Sequence, residues 1–294
     1  MQNASFRPYL VLAIGILAVS SSAFLITFAR REGMPAVAIA ALRLSIASLA
    51  LAPLALVRAR AELHRLVPRD LALALVSGIF LGFHFAFWIS SLDYTSVMSS
   101  IVLVSTNPLF VALASVVILH EPLRRGTFAG IAVATAGGAL VGLTDLGHSG
   151  GGSLQGDALA LAGAAAVSGY LIVGRSLRRR LSLLPYITLV YSTAAAVLLA
   201  MAWGMGIGLT GYSPLAYVLI VLLAAGPQLV GHSSYNWALK YLSATMITVT
   251  ILAEPVGATV LAIPILGQVP GPISLAGGML VLAGIYLAAR GESQ

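Results

Sequence analysis

An acidic side chain precedes a proline inside an apolar stretch near the C-terminal end of the chain. Glu254 and Pro255 form this pair, and Asn107 and Pro108 form a similar pair 147 residues earlier. A proline inside a helix removes a backbone hydrogen bond and bends the helix, so we predict kinks at Pro108 and Pro255. Glu254 is a candidate for carrying a proton or holding a cationic amine, and a neutral, hydrogen-bonded structural acid is the alternative.

Arg43 is the one basic residue that falls inside an apolar stretch rather than in a loop. Three roles are open to its guanidinium. It could extend to the membrane surface along its aliphatic stem, pair with a carboxylate such as Glu254, or bind a substrate carboxylate through two nitrogens. We assign Arg43 and Glu254 to coupling or charge pairing.

Polar and aromatic side chains recur at helical spacing in two further apolar stretches. His84 and Trp88 are four residues apart, and so are Gln228 and His232, with Tyr235 three residues further on. Residues at these spacings share one face of a helix, as the wall of a cavity requires. Anchoring at the membrane interface is the alternative role of Trp88. The candidate substrate-binding residues are His84, Trp88, Asn107, His232, Tyr235 and Trp237.

The patterns that indicate enzymatic chemistry do not occur in the sequence. The chain has no cysteine, no histidine pair at i and i+4 that would hold zinc, and no HExxH motif. The Gly-rich loop 145–156 lacks the GK[ST] ending of a P-loop and is typical of a flexible connector. We therefore expect no catalytic residue, no metal and no cofactor.

Apolar helices must position these side chains. Of the 294 residues, 59% are hydrophobic and 9% are charged, whereas soluble domains carry about 25% charged residues. A membrane-spanning helix needs about 20 apolar residues. Ten such stretches are predicted as transmembrane helices, near 8–29, 36–57, 71–92, 96–119, 126–144, 157–175, 184–208, 215–238, 243–266 and 271–289.

The basic residues alternate between the loops of these predicted helices. With a cytoplasmic N-terminus, outer segments hold only Arg30 and Arg31, and thirteen of the sixteen Lys and Arg residues fall in inner segments. Lys and Arg concentrate in cytoplasmic loops, so both termini are predicted to be cytoplasmic. The formal net charge of +7 thus reflects membrane topology, and we expect no nucleic-acid partner. The inner residues are Arg7, Arg58, Arg60, Arg65, Arg69, Arg124, Arg125, Arg175, Arg178, Arg179, Arg180, Lys240 and Arg290.

The chain also repeats itself at a constant shift of 147 residues. The shift pairs Pro108 with Pro255 and Tyr94 with Tyr241, and it divides the chain into residues 1–147 and 148–294. Each half holds five predicted helices, and an odd number requires the second half to enter the membrane from the opposite side. We therefore predict an all-α polytopic membrane protein with two inverted five-helix repeats around a central cavity, a plan typical of secondary transporters.

Three motifs resemble the EamA-type members of the drug/metabolite transporter superfamily. They are AALRLSIASLALAPL, STNPLFVALASVVILHEPLRR and AEPVGATVLAIPILGQVPGPISLAGGMLVLAGIYL. In that family the second helix typically holds an arginine, which Arg43 matches, and the fourth and ninth helices hold the prolines. The family's turn acid matches Glu121 but is Gln268 in the second half. The resemblance is closest to the YddG-type exporters of aromatic and other amino acids.

The sequence and the resemblance together predict a transporter rather than an enzyme. We expect export of small metabolites, above all aromatic and other neutral amino acids, by alternating access in the bacterial cytoplasmic (inner) membrane. A carrier of nucleotide-sugars or cationic drugs is the first alternative, and an intramembrane enzyme is the second. The predicted partners are a small-molecule substrate and membrane lipid, and the protein is predicted to be a monomer.

Overall fold

Helices form nearly all of the regular structure. The computed structural model describes residues 7–95, 100, 103–120, 123–143, 154–266 and 271–293, and these residues contain no strand. A short helix, Arg60–His64, lies between the second and third long segments. We number the longer helical segments α1 (Arg7–Arg31), α2 (Ala36–Arg58), α3 (Pro68–Ser91), α4 (Asn107–Leu119), α5 (Arg125–Leu143), α6 (Leu154–Arg178), α7 (Leu183–Gly204), α8 (Pro214–Ala238), α9 (Ala244–Leu266) and α10 (Pro272–Ser293).

Seven of these segments are long and apolar enough to cross a membrane, as counted over the described residues. They are α1, α2, α3, α6, α7, α8 and α9, with 22 to 25 residues each. Every one overlaps a predicted transmembrane helix. The stretch predicted near 184–208 ends earlier, at Gly204, because Gly206 adopts a positive φ of 66° and turns the chain out of the helix. Helices α4, α5 and α10 overlap the remaining three predictions.

Four segments are interrupted. α1 comprises Arg7–Ser20 and Ser22–Arg31, and α9 comprises Ala244–Ile251 and Glu254–Leu266. α4 comprises Asn107–Ala114 and a π-helical turn, Ser115–Leu119. α8 comprises Pro214–Leu223, a π-helical stretch Ala224–His232 and Ser233–Ala238. The chain also forms turns directly before Asn107 and directly before Glu254, so each Xaa-Pro pair begins a new helical stretch.

Glycines allow several helices to approach each other closely. A Cβ on Gly130 would overlap the backbone of α10 at Gly284 and Ala288, and one on Gly137 would overlap α10 at Gly277 and Val281. Small residues of this kind let helix backbones meet in a membrane protein. Gly15 and Gly231 do the same for α1 and α8, and Gly163 does it for α6 against Trp88 of α3.

Polar contacts at helix ends and in the adjoining loops form two separate groups. In the first, Asp70 pairs with Arg180 at 3.1 Å and the backbone N–H of Ser182 donates to Glu62 Oε1 at 2.7 Å. These residues come from loops that the sequence assigns to the cytoplasm. In the second group, Arg30 pairs with Asp93. Further bonds of that group link Ser213 to Glu32 and Thr95 to Asp157.

Candidate substrate-binding cavity

A cavity lies at the interruptions of α1 and α9, at the end of the π-helical stretch of α8 and at the start of α4. The space within it that is open to a water-sized molecule is about 60 Å³. Helices α1, α2, α3, α6, α8 and α9 supply its wall, together with residues just before and at the start of α4. The lining residues are Val19, Ser22, Arg43, His84, Phe85, Trp88, Val104, Asn107, Val167, Tyr170, Leu171, His232, Tyr235, Ile251 and Glu254.

Aromatic rings and imidazoles pack against one another along two sides of this cavity. The His84 ring is parallel to the Trp88 ring within 5° at a centroid distance of 5.9 Å. The His232 ring meets Phe85 edge-on at 5.2 Å and lies 5.7 Å from the Tyr235 ring. His84 Nδ1 lies 2.9 Å from the carbonyl oxygen of Gly163, a hydrogen bond that fixes its ring against α6. The rings therefore offer a cargo molecule preorganised surfaces for stacking.

Arg43 lies at the wall of the cavity and is fully buried, with 0% of its surface exposed. Its Nε donates to Gln228 Oε1 at 3.0 Å, and its guanidinium carbon lies 4.3 Å from the centre of the Phe85 ring. The interpretation that Arg43 extends to the membrane surface is therefore wrong, because its side chain turns inward between α3 and α8. Pairing with Glu254 is also absent from the ion pairs of the described residues.

Glu254 lies at the start of the second half of α9 and also lines the cavity. Its Oε1 accepts a hydrogen bond of 2.7 Å from the hydroxyl of Tyr235, and its backbone oxygen accepts one of 3.1 Å from Ser20 Oγ. The Tyr235 contact orients one carboxylate oxygen toward α8. Glu254 is only partly buried, so its carboxylate remains available to a molecule in the cavity.

Several buried polar atoms at this cavity have no hydrogen-bond partner among the described residues. A buried polar group without a partner costs roughly 1–3 kcal/mol, and native proteins contain few of them. Their concentration around one cavity therefore indicates that polar groups of a bound molecule or solvent complete these bonds. The atoms are Ser22 Oγ, Arg43 Nη1 and Nη2, Trp88 Nε1, Asn107 Oδ1 and His232 Nδ1.

Comparison with known proteins identifies this arrangement of helices. The chain matches the EamA-like transporter family twice, over residues 7–143 and over residues 154–290. The chain belongs to the EamA-like transporter family. It is therefore an integral membrane protein with two EamA repeats, and a transporter rather than an enzyme.

Two individual proteins resemble this EamA-like transporter. A protein described as a probable terminal-alkyne amino-acid exporter, from Streptantibioticus cattleyicolor, is 30% identical over 189 residues. The alignment covers 64% of this chain and 62% of that protein, so the chain spans less than two thirds of its relative's length. A crystal structure of a protein at 23% identity superposes with a TM-score of 0.79 over 98% of each chain, and this likeness establishes the fold alone.

The transporter brings five of the six predicted substrate-binding residues to one cavity, together with Arg43 and Glu254. Trp237 lies elsewhere: it contacts Arg7 at 5.8 Å and Tyr241 at 4.6 Å on the outer side of α8. Trp237 is therefore not part of the wall of this cavity, and its role in substrate binding stays a prediction. Trp237 is two positions after Tyr235, and two positions correspond to about 200° around a helix.

Pro108 and Pro255 lie beside the cavity described above and are not among the residues that line it. Pro108 is buried at the start of α4. Pro255 lines an adjoining cavity between α1 and α9, beside Ala258. The turn acid Glu121 and its counterpart Gln268 lie outside the described residues.

Sequence reasoning missed the contributions of Phe85 and Tyr170. The Tyr170 hydroxyl donates to Asn236 Oδ1 at 2.8 Å, which positions the Tyr170 ring in the cavity wall. No local pattern distinguishes Tyr170 from other aromatic residues in apolar helices. The repeat could have found Phe85, because the shift of 147 residues pairs it with His232.

Metal binding has no support in the described part of the transporter. No group of three or more histidine, aspartate or glutamate side chains is close enough to hold an ion there. His84 and His232 instead bond to the backbone or pack against rings.

Proposed function

We propose that this protein is a secondary transporter that exports amino acids, chiefly aromatic and other neutral ones, across the bacterial cytoplasmic membrane. The observation that carries the proposal is the composition of the cavity: one basic side chain, one acidic side chain and several rings meet in a largely apolar enclosure. A free aromatic amino acid presents a carboxylate, an ammonium and an apolar ring, so each of its parts has a complementary wall. The amino-acid exporter named among its relatives gives further support.

Alternating access of two inverted repeats is the proposed mechanism, and the seam between α5 and α10 supports the inversion. The shift of 147 residues pairs Gly130 with Gly277 and Gly137 with Gly284. Gly130 approaches Gly284 while Gly137 approaches Gly277, which is the reciprocal contact expected across a two-fold axis. Residues later in α5 contact residues earlier in α10, so the two helices are antiparallel. Equivalent helices in antiparallel orientation imply repeats of opposite orientation.

The cavity also supports a site shared between the repeats. Four pairs of its lining residues are related by the same shift of 147 positions, so each repeat contributes one member of each pair. Cargo bound on such an axis can be exposed to either side of the membrane when the repeats move against each other. The pairs are Phe85 and His232, Trp88 and Tyr235, Val104 and Ile251, and Asn107 and Glu254.

Cytoplasmic termini are proposed from the distribution of charge. Arg175 donates to the carbonyl oxygen of Leu239 at 2.7 Å and Arg180 pairs with Asp70. These contacts draw together three basic loops that the positive-inside rule assigns to the cytoplasm.

Efflux from proteoliposomes tests the proposed function. Vesicles containing purified protein and loaded with a panel of amino acids are expected to release aromatic and neutral ones saturably. Trp88→Ala should lower the initial rate about fivefold, because loss of a stacking ring costs about 1 kcal/mol. Trp203→Ala is the matched control, since the Trp203 side chain is 86% exposed and lies away from the cavity. Equal efflux rates in the two variants would contradict the assignment of the cavity as the binding site.

Energy coupling is tested in the same vesicles with an imposed pH gradient. Efflux that responds to the gradient in the wild type but not in Glu254→Gln assigns proton coupling to Glu254. If the efflux rate of the wild type does not change with the pH gradient, the transport is facilitated diffusion. Efflux of lipophilic cations from such vesicles, with no efflux of amino acids, would favour the second candidate function, a carrier of cationic drugs. The acid and rings of the cavity are the observation behind that candidate.

A further inference from the structure

The charges of the cavity do not follow the symmetry of its walls. Arg43 is matched at a shift of 147 by Val190, and Glu254 is matched by Asn107. Each repeat therefore supplies one charged group that its counterpart lacks: the first repeat supplies a cation and the second an anion. A cavity with this polarity distinguishes the two ends of a zwitterion, whereas the paired ring positions do not.

Arg43 is prepared to bind a carboxylate. Its Nε is occupied by Gln228 Oε1 at 3.0 Å, while Nη1 and Nη2 are buried without partners among the described residues. A guanidinium stays protonated in proteins, so the buried charge needs an anion or acceptors. The two Nη nitrogens match the two oxygens of a carboxylate in a bidentate pair. The contact with the Phe85 ring at 4.3 Å fixes the plane of the guanidinium.

Glu254 is prepared to bind a cation on a different wall of the same cavity. Tyr235 occupies its Oε1 at 2.7 Å, and no ion pair joins it to Arg43 among the described residues. The two charges line one cavity, and neither neutralises the other through a direct ion pair. A primary ammonium donates up to three hydrogen bonds and suits a carboxylate flanked by aromatic rings.

We propose that Arg43 binds the carboxylate and Glu254 the ammonium of one amino acid, so that the cargo occupies the cavity in a single orientation. This inference rests on the proposed amino-acid cargo and assigns a group of it to each charge. The side chain of the cargo then lies against Trp88 and Tyr235. Binding at both charges makes Arg43 and Glu254 determinants of specificity for zwitterions over simple amines and simple acids.

Calorimetric binding of three probes to the full-length protein in detergent tests this orientation. The probes are L-phenylalanine, phenethylamine, which lacks the carboxylate, and 3-phenylpropionate, which lacks the ammonium. Arg43→Met should weaken binding of phenylalanine and phenylpropionate about 10- to 100-fold and leave phenethylamine within about threefold. Glu254→Gln should weaken phenylalanine and phenethylamine by a similar factor and leave phenylpropionate within about threefold.

The probe that each variant still binds is also its folding control. If Arg43→Met does not fold, Arg43→Lys replaces it, because lysine keeps the charge but loses the bidentate geometry. Its expected loss, for the two carboxylate probes only, is smaller than that of Arg43→Met. Equal weakening of all three probes in either variant would overturn the proposed orientation. It would not contradict the proposal that the cargo is an amino acid. Failure of the wild type to bind phenylalanine would instead overturn the proposed aromatic cargo.

Discussion

Gly137 and Gly138 are neighbours on α5, and the same substitution at the two positions separates helix packing from helix propensity. A Cβ on Gly137 would stand 2.6 Å from the backbone nitrogen of Val281 and 2.7 Å from the carbonyl oxygen of Gly277. Ordinary contact begins near 3.4 Å, so α5 and α10 would have to separate by about 0.8 Å. A Cβ on Gly138 would have no such neighbour within 4 Å. The pair is therefore a matched test of the seam between the repeats.

The difference in stability between Gly137→Ala and Gly138→Ala can be given a magnitude. Both substitutions gain about 0.8–1 kcal/mol of helix propensity, which cancels in the comparison. Overpacking against backbone typically costs about 1–3 kcal/mol, and only Gly137→Ala incurs it. At about 2–4 °C per kcal/mol, the Tm of Gly137→Ala should be about 2–12 °C below that of Gly138→Ala.

Thermal unfolding of the two purified variants in one detergent measures this difference. Both variants should elute as single species in gel filtration before they are heated. A Tm of Gly137→Ala equal to or above that of Gly138→Ala would refute the close approach of α5 and α10. The reciprocal glycine contacts would then no longer support inverted repeats.

Two further outcomes follow from the placement of single residues. If cargo binds beside Trp88, adding L-phenylalanine should change the tryptophan fluorescence of the wild type and of Trp237→Phe. The fluorescence change should be largely lost in Trp88→Phe. A full fluorescence change in Trp88→Phe would place the cargo elsewhere. The chain has no cysteine, so Asp93→Cys and Lys240→Cys each introduce one labelling site, and an impermeant maleimide added to intact cells should label the first and spare the second. Labelling of both, or of neither, would contradict the inverted repeats.

Much of the fold followed from the sequence, because a membrane constrains helices strongly. Apolar stretches of about 20 residues predict spanning helices, and those stretches overlap the helices of the described residues. The motif around Arg43 and those around Pro108 and Pro255 carried the resemblance to the EamA family. The spacing of His84 and Trp88 placed both on one face of α3, since the periodicity of a helix is local and readable.

Only the tertiary structure decided what these side chains meet. Tyr235 faces the cavity while Trp237, two residues later, packs against Arg7, because the rotation of α8 is set by its packing against other helices. Arg43 bonds to Gln228, 185 positions away, and no local pattern connects them. Spacing along the chain determines which residues share a helix face. Contacts between helices far apart in sequence determine which face lines the cavity, and those contacts exist only once the helices have packed.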